Sequence, residues 1–248
     1  MNVRIYEIDP DAGSLQSKII TAPGAVQAQQ VNVERVRDGT WTRLRALRDG
    51  APITVPWKQA LIFEGVCFHI TVGEFSTGVA GGGATTVLDL DQPRFTVALP
   101  TAATPLTLLP IDVRIQLLSG TVDADNNEYE ALVAADRTQA IIDGTATAET
   151  IFNARTDSPR PSGATARSTY TGNSTAPVLG LELARNAIIA DVQTAVGVHT
   201  KLVDLIYVPD ATPLLFAPCT LLGYFGGDTT TTGYAQVMWA ELPAGAFL

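Results

Sequence analysis

The 248-residue chain carries 16 Lys and Arg against 25 Asp and Glu, a net charge of −9, with 46% hydrophobic and only 17% charged residues. That balance excludes a disordered chain, which lacks the apolar residues to bury a core, and a protein that coats nucleic acid through its whole surface. Two cysteines, Cys67 and Cys219, are too few for a disulfide framework in a chain of this length, so packing must hold the fold.

The first ten residues, MNVRIYEIDP, have no charged leader before an apolar run and no small-residue cleavage site, so no secretory signal is expected. Val3 to Ile8 alternates apolar and polar and stops at Asp9-Pro10, the pattern of a half-buried strand. Further short strands are expected at Gln27–Val36, at Thr40–Leu47 ahead of the turn Asp49-Gly50, and at Ile53–Val55 ahead of Pro56. Bases concentrate in this region: Arg35, Arg37, Arg43, Arg45 and Arg48 face only Glu34 and Asp38, a local excess of three positive charges. Such a patch suits an acidic neighbour subunit, lipid head groups or packaged nucleic acid. It also suits a plain strand with Arg43 and Arg45 on its wet face.

Ala60–Val72, ALIFEGVCFHITV, is the most apolar central stretch and reads as two strand runs broken by a bulge or corner at Gly65. Val66, Phe68, Ile70 and Val72 should point one way, Cys67, His69 and Thr71 the other. A glycine-rich connection follows at Gly78–Thr85, then strands at Thr86–Leu90 and Arg94–Leu99, an irregular path marked by Pro100, Pro105 and Pro110, and a strand at Ile111–Leu118 with Asp112, Arg114 and Gln116 on its wet side. From Ser119 to Ala176 small polar residues replace the large aliphatics, which reads as an insertion. Within it, Glu128–Arg137 and Ala140–Phe152 fit either short helices or strands, and Asp157–Arg167 reads as loop. Sheet pattern resumes at Leu179–Val192, Lys201–Val208, Cys219–Phe225 and Tyr234–Leu242. The longest apolar candidate, Leu179–Val198, is interrupted by Glu182, Arg185, Asn186, Asp191 and Gln193, so no bilayer span is expected. Many short strands without intervening long amphipathic helices predict an all-β fold, an antiparallel sandwich, in one domain over residues 1–248.

Residues able to carry chemistry are sparse. The chain has two histidines, His69 and His199, neither beside a second ligand at metal spacing. A cupin-like metal enzyme would want a second His where Thr71 stands, with Glu74 following. Gly81–Gly83 lacks the Lys-Ser/Thr ending of a phosphate cradle, and no nucleophile elbow occurs. Asp123, Asp125, Asn127 and Glu130 form the one ligand-dense run, a candidate for calcium, though without the central Gly and distal Glu of the helix-loop-helix calcium loop; a solvated acidic turn is the plainer reading. Asn173-Ser174-Thr175 spells a glycosylation sequon that, without a secretory route, reads as polar loop. Trp41, Trp57 and Trp239 are scattered in strand-like contexts, so they read as core rather than as a ligand platform. Cys67 and Cys219 sit among apolar residues and read as buried, reduced thiols.

With 30 threonines, three lysines, a polar insertion and the ending CTLLGYFGGDTTTTGYAQVMWAEL, where a Gly/Thr loop leads into a last apolar strand, the chain resembles the single jelly-roll capsid proteins of icosahedral viruses. The likeness is greatest to the phage and archaeal-virus lineage of upright jelly rolls over an internal membrane. It covers most of the chain and lies in architecture rather than in a motif. It implies a β-sandwich of jelly-roll type, a non-enzymatic coat subunit located in the virion, and homo-oligomeric contacts repeated by icosahedral symmetry. It also implies partners among a second coat protein, an internal membrane or minor virion proteins. Residues 1–30 hold only Arg4 and Lys18 as bases, so the subunit would not condense a genome or read nucleic acid sequence itself. Low charge suits a perimeter that becomes interface, whose core is depleted of charged side chains. The other readings are a phage tail or baseplate component, a carbohydrate-binding β-sandwich module, and the cupin-like enzyme.

Overall fold

The structure is a computed structural model and describes residues 4–9, 14–19, 32–34, 41–43, 56–82, 88–103, 105–119, 123–172, 174–192, 201–227 and 231–244. The strand expected at Ile53–Val55, most of the basic stretch from Arg35 to Arg48, His199, Asn173 and residues 245–248 lie outside the described residues. Chain contacts divide the protein into two units, Met1–Trp57 and Lys58–Leu248. In the first, β1 (Arg4–Asp9) pairs antiparallel with β2 (Ser14–Ile19), and β3 (Asn32–Glu34) with β4 (Trp41–Arg43).

A helix runs across the boundary of the two units, and from Ala60 it stands where the sequence reads as strand. Trp57-Lys58-Gln59-Ala60-Leu61-Ile62-Phe63 forms α1 (Trp57–Phe63) directly after Pro56. Gly65, at φ +67°, ends it: the amide of Gly65 donates to the Ile62 carbonyl and that of Val66 to Leu61, a left-handed C-terminal cap that glycine adopts without Cβ strain. Gly65 is therefore a helix stop rather than a strand bulge.

The remaining elements are β5 (Cys67–Val72), β6 (Val79–Ala80), β7 (Phe95–Leu99), β8 (Leu106–Ser119), β9 (Asp123–Asp136), β10 (Thr147–Ala148), β11 (Phe152–Asn153), β12 (Thr165–Ser168), β13 (Leu181–Val192), β14 (Lys201–Tyr207), β15 (Leu215–Phe216), β16 (Cys219–Gly227) and β17 (Thr231–Pro243). They build two antiparallel sheets. The first runs β11-β5-β17-β8-β14, with β15 and β6 alongside β8 and β17; the second runs β10-β12-β7-β16-β9-β13. The chain alternates between them: β5 in the first sheet, β7 in the second, β8 in the first, β9 and β13 in the second, β14 in the first, β16 in the second, β17 in the first. This wrapping, with β5-β17-β8-β14 facing β7-β16-β9-β13, is the eight-stranded jelly roll.

Alternation along each strand supplies the core between the sheets. Phe68, Ile70 and Val72 meet Val113, Ile115, Leu117, Tyr129, Val133, Leu221, Phe225 and Trp239 there, as the period of two requires. Small residues face large ones: Gly223 stands directly opposite Phe95, whose ring occupies the space a side chain at 223 would need. Cys67 points outward, and with Leu109, Ile111, Ala240 and Leu242 it lies under Leu61 and Ile62 of α1. Pro110, expected on an irregular path, is inside β8; the register slips between Met238 and Trp239, leaving Ile111 as the extra residue of a bulge beside it.

Residues 119–176 do not form one excursion, as their composition implies. Asp123–Asp136 is a strand with β16 on one side and β13 on the other, and its Ala131, Ala134 and Ala135 are small because both faces are covered. The excursion proper lies between β9 and β13. Among the described residues of 119–176 there is no helix: Glu128–Asp136 belongs to β9, Ala140–Phe152 is mainly irregular chain with β10, and the expected loop Asp157–Arg167 contains the start of β12. The excursion is packed onto the sandwich. Its Ile141 packs on the outer face of the second sheet against Leu132, Ala134, Leu222 and Tyr224, and its strands extend both sheets, β12 and β10 beyond β7 and β11 beyond β5.

Candidate functional site

The calcium candidates are set by strand geometry. Asn127 shares its face with Tyr129, Ala131 and Val133, which point into the core, and is itself 9% exposed. Glu130 projects from the opposite face and pairs with Arg185 of β13. A period of two thus separates Asn127 from Glu130, whereas a calcium loop must curl to bring its oxygens together. The side chains of Asp123 and Asp125 lie outside the described residues, and among those described no three His, Cys, Asp or Glu side chains gather as metal ligands.

Two fully buried carboxylates, neither singled out by the sequence, hold the excursion onto the jelly roll. Asp136 closes β9 and accepts from the amide and hydroxyl of Thr138 at 2.8 and 2.6 Å, the Gln139 side chain at 2.8 Å and the Val178 amide at 2.7 Å. It therefore ties the start of the excursion to its end. Burial pushes its pKa up, but these four donors outweigh that and hold it below the ordinary value of 3.8. Glu241 lies on the core side of β17, two residues after Trp239, whose indole N–H donates to it at 2.9 Å. The same carboxylate accepts from the Ser162 hydroxyl and from the Gly163 amide at 2.7 Å. The parity of Trp239 and Glu241 in an otherwise apolar strand is the signal that could have found this residue; nothing local marks Asp136.

The outer face of the first sheet carries polar ladders. α1 covers its lower part, and beside that cover three ladders of outward side chains remain. Phe152, His69, Met238 and Asp112 are neighbours across β11, β5, β17 and β8; Thr71, Gln236, Arg114 and Ile206 form the next row; Tyr234, Gln116 and Asp204 the third. His69, Met238 and Asp112 of the first row and Thr71, Gln236 and Arg114 of the second line a concavity of about 410 Å³. Arg114 donates through Nε and Nη2 to both oxygens of Asp112, each at 3.0 Å, and on the next strand the Lys201 ammonium pairs with one oxygen of Asp204. Phe152, 55% exposed, stacks on His69 at 5.6 Å and 25°. His69, which sequence places on a half-buried strand, thus has an aromatic neighbour, and Thr71 is exposed two residues on.

The sandwich is asymmetric at its edges. On the β5/β7 side the excursion strands β11, β12 and β10 extend both sheets, whereas on the other side the long strands β13 and β14 come last, each with a ladder partner on one flank only among the described residues. Ile188, Ile189 and Ile206 are exposed there, Ile189 at 63%. Arg185 bridges Glu130 and Glu182, and the Asn186 side chain donates to the Asp204 carbonyl at 2.8 Å, tying β13 to β14. No helix among the described residues is long and apolar enough to cross a membrane. Cys67 and Cys219 are free and buried, and burial pushes both thiols up to about 12. No protein-family model, curated protein or solved structure matches this chain.

Proposed function

We propose that this chain is a structural coat subunit of an icosahedral virion shell, made in many copies and contacting its neighbours through the open edge of the jelly roll. The observation that carries this reading is the edge asymmetry. One side of the sandwich is extended by short strands of the chain's own excursion, while on the other the long strands β13 and β14 stand last in their sheets, each with one flank unpaired among the described residues, and carry three exposed isoleucines. An exposed apolar edge strand is a template for pairing with another chain and is normally covered or charged when a protein works alone. The acidic balance of −9 supports a shell whose genome is packaged by other components, namely an internal membrane, minor virion proteins or a second coat protein.

Negative-stain microscopy and sedimentation of the purified chain, with and without Ile189→Glu, test this. Closed shells or pentamer and hexamer rings that Ile189→Glu abolishes support the reading. A monomer at high concentration overturns it, as does assembly that is indifferent to Ile189→Glu.

A further inference from the structure

We infer that the concavity on the outer face of the first sheet is a saccharide-binding groove. The inference is independent of assembly and holds for a shell subunit or a lone module alike. A pyranose ring offers an apolar C–H face and a rim of hydroxyls; a site for it needs an aromatic plate beside planar hydrogen-bonding side chains, with no net charge. The three ladders supply this pattern. Phe152, stacked on the lining residue His69, flanks the concavity on β11, and Tyr234, with Phe75 edge-on at 6.4 Å, stands in the row beyond it. Between them lie Gln236, Thr71 and Arg114. Arg114 has five N–H donors and spends two on Asp112, so its remaining donors and the Gln236 amide face the groove ready for vicinal hydroxyls.

Charge decides the ligand class. Arg114 is neutralised by Asp112 and Lys201 by Asp204, so the face attracts neither a phosphate nor a cation, and the −9 chain adds repulsion for anions. Size decides the length. Rows two residues apart on a strand are about 7 Å apart, so the two lining rows match one or two sugar rings, and a longer oligosaccharide would reach the Tyr234 row about 7 Å further on. The volume of about 410 Å³ lies within the range of small-molecule sites.

The probes are cellotetraose, maltotetraose, chitotetraose and mannotetraose, titrated calorimetrically into the full chain, with backbone amide shifts followed by NMR. At least one should bind, shifting the amides of His69, Thr71 and Gln236. Phe152→Ala and Arg114→Ala should each weaken it about tenfold, Phe152→Tyr should retain it, and Thr71→Trp, filling the middle of an exposed row, should abolish it while leaving the sedimentation profile unchanged. Binding by none of the four, or binding that all three disruptive variants leave intact, overturns the groove. Microscopy of the same samples reads assembly separately, so loss of either property leaves the other measurable.

Discussion

Adding one methyl group at Gly223 should destabilise the jelly roll, against the direction that chain entropy predicts. Glycine in a strand is worse than alanine by roughly 0.5–1 kcal/mol, so Gly223→Ala would stabilise a strand whose neighbours gave it room. Here a Cβ at 223 would sit 1.9, 2.2 and 2.5 Å from three carbons of the Phe95 ring. Ordinary carbon contacts are about 3.5–4.0 Å, so the ring would have to retreat by roughly 1.5 Å. Phe95 is 0% exposed and packed within the main core, so nothing yields cheaply. Overpacking of this kind costs about 1–3 kcal/mol, and the depth of overlap places Gly223→Ala at about 3 kcal/mol or above. Phe95→Ala alone should cost about 3–5 kcal/mol by leaving a cavity. Adding Gly223→Ala to it should cost almost nothing, because the obstructing ring is gone, giving a coupling of about 2–3 kcal/mol. Urea unfolding of the four proteins, followed by tryptophan fluorescence, measures the cycle. A single-variant cost below about 0.5 kcal/mol, or the same cost in both backgrounds, would refute the packing assignment.

Glu241→Gln should destabilise by about 2–3 kcal/mol and expose the chain around Ser162 to limited proteolysis, because an amide NH₂ would then confront a set of donors that only a carboxylate can accept. Asp136 has a folded pKa below its unfolded value, so its contribution is fully present above the unfolded pKa and is lost as pH falls through the folded one. Stability of the wild type should therefore drop from about pH 4 downward, and Asp136→Asn should lower stability at neutral pH and flatten that slope, as read by unfolding at stepped pH. Neither Cys67 nor Cys219 should react rapidly with a thiol reagent in the native state, and both should react in denaturant; a fast native thiol would contradict their burial and their raised pKa of about 12.

Much of the jelly roll is legible from alternation. Phe68, Ile70 and Val72 go inward and Asp112, Arg114 and Gln116 outward, as pattern alone requires. Two misreadings have the same origin. Ala60–Phe63 is as apolar as a buried strand, and only the bracket of Pro56 and Gly65 marks it as part of a short helix lying on a sheet. Asp123–Asp136 looks like insertion because its alanines are small, yet smallness is what a strand between two covered faces needs. The acidic run is visible as composition, but whether its oxygens converge is a matter of backbone curl, and a strand sends Asn127 and Glu130 apart.

Composition and periodicity by themselves determined that this protein is an all-β sandwich held by packing, with few charges and scarce catalytic groups. Which edges the chain extends with its own excursion, which carboxylates pin that excursion, and which polar side chains share the groove were decided only by the tertiary structure. Partners such as Thr71, Arg114 and Gln236 lie on β5, β8 and β17, far apart in sequence. A local pattern fixes which way each side chain points, but the order of strands in a sheet fixes what it points beside.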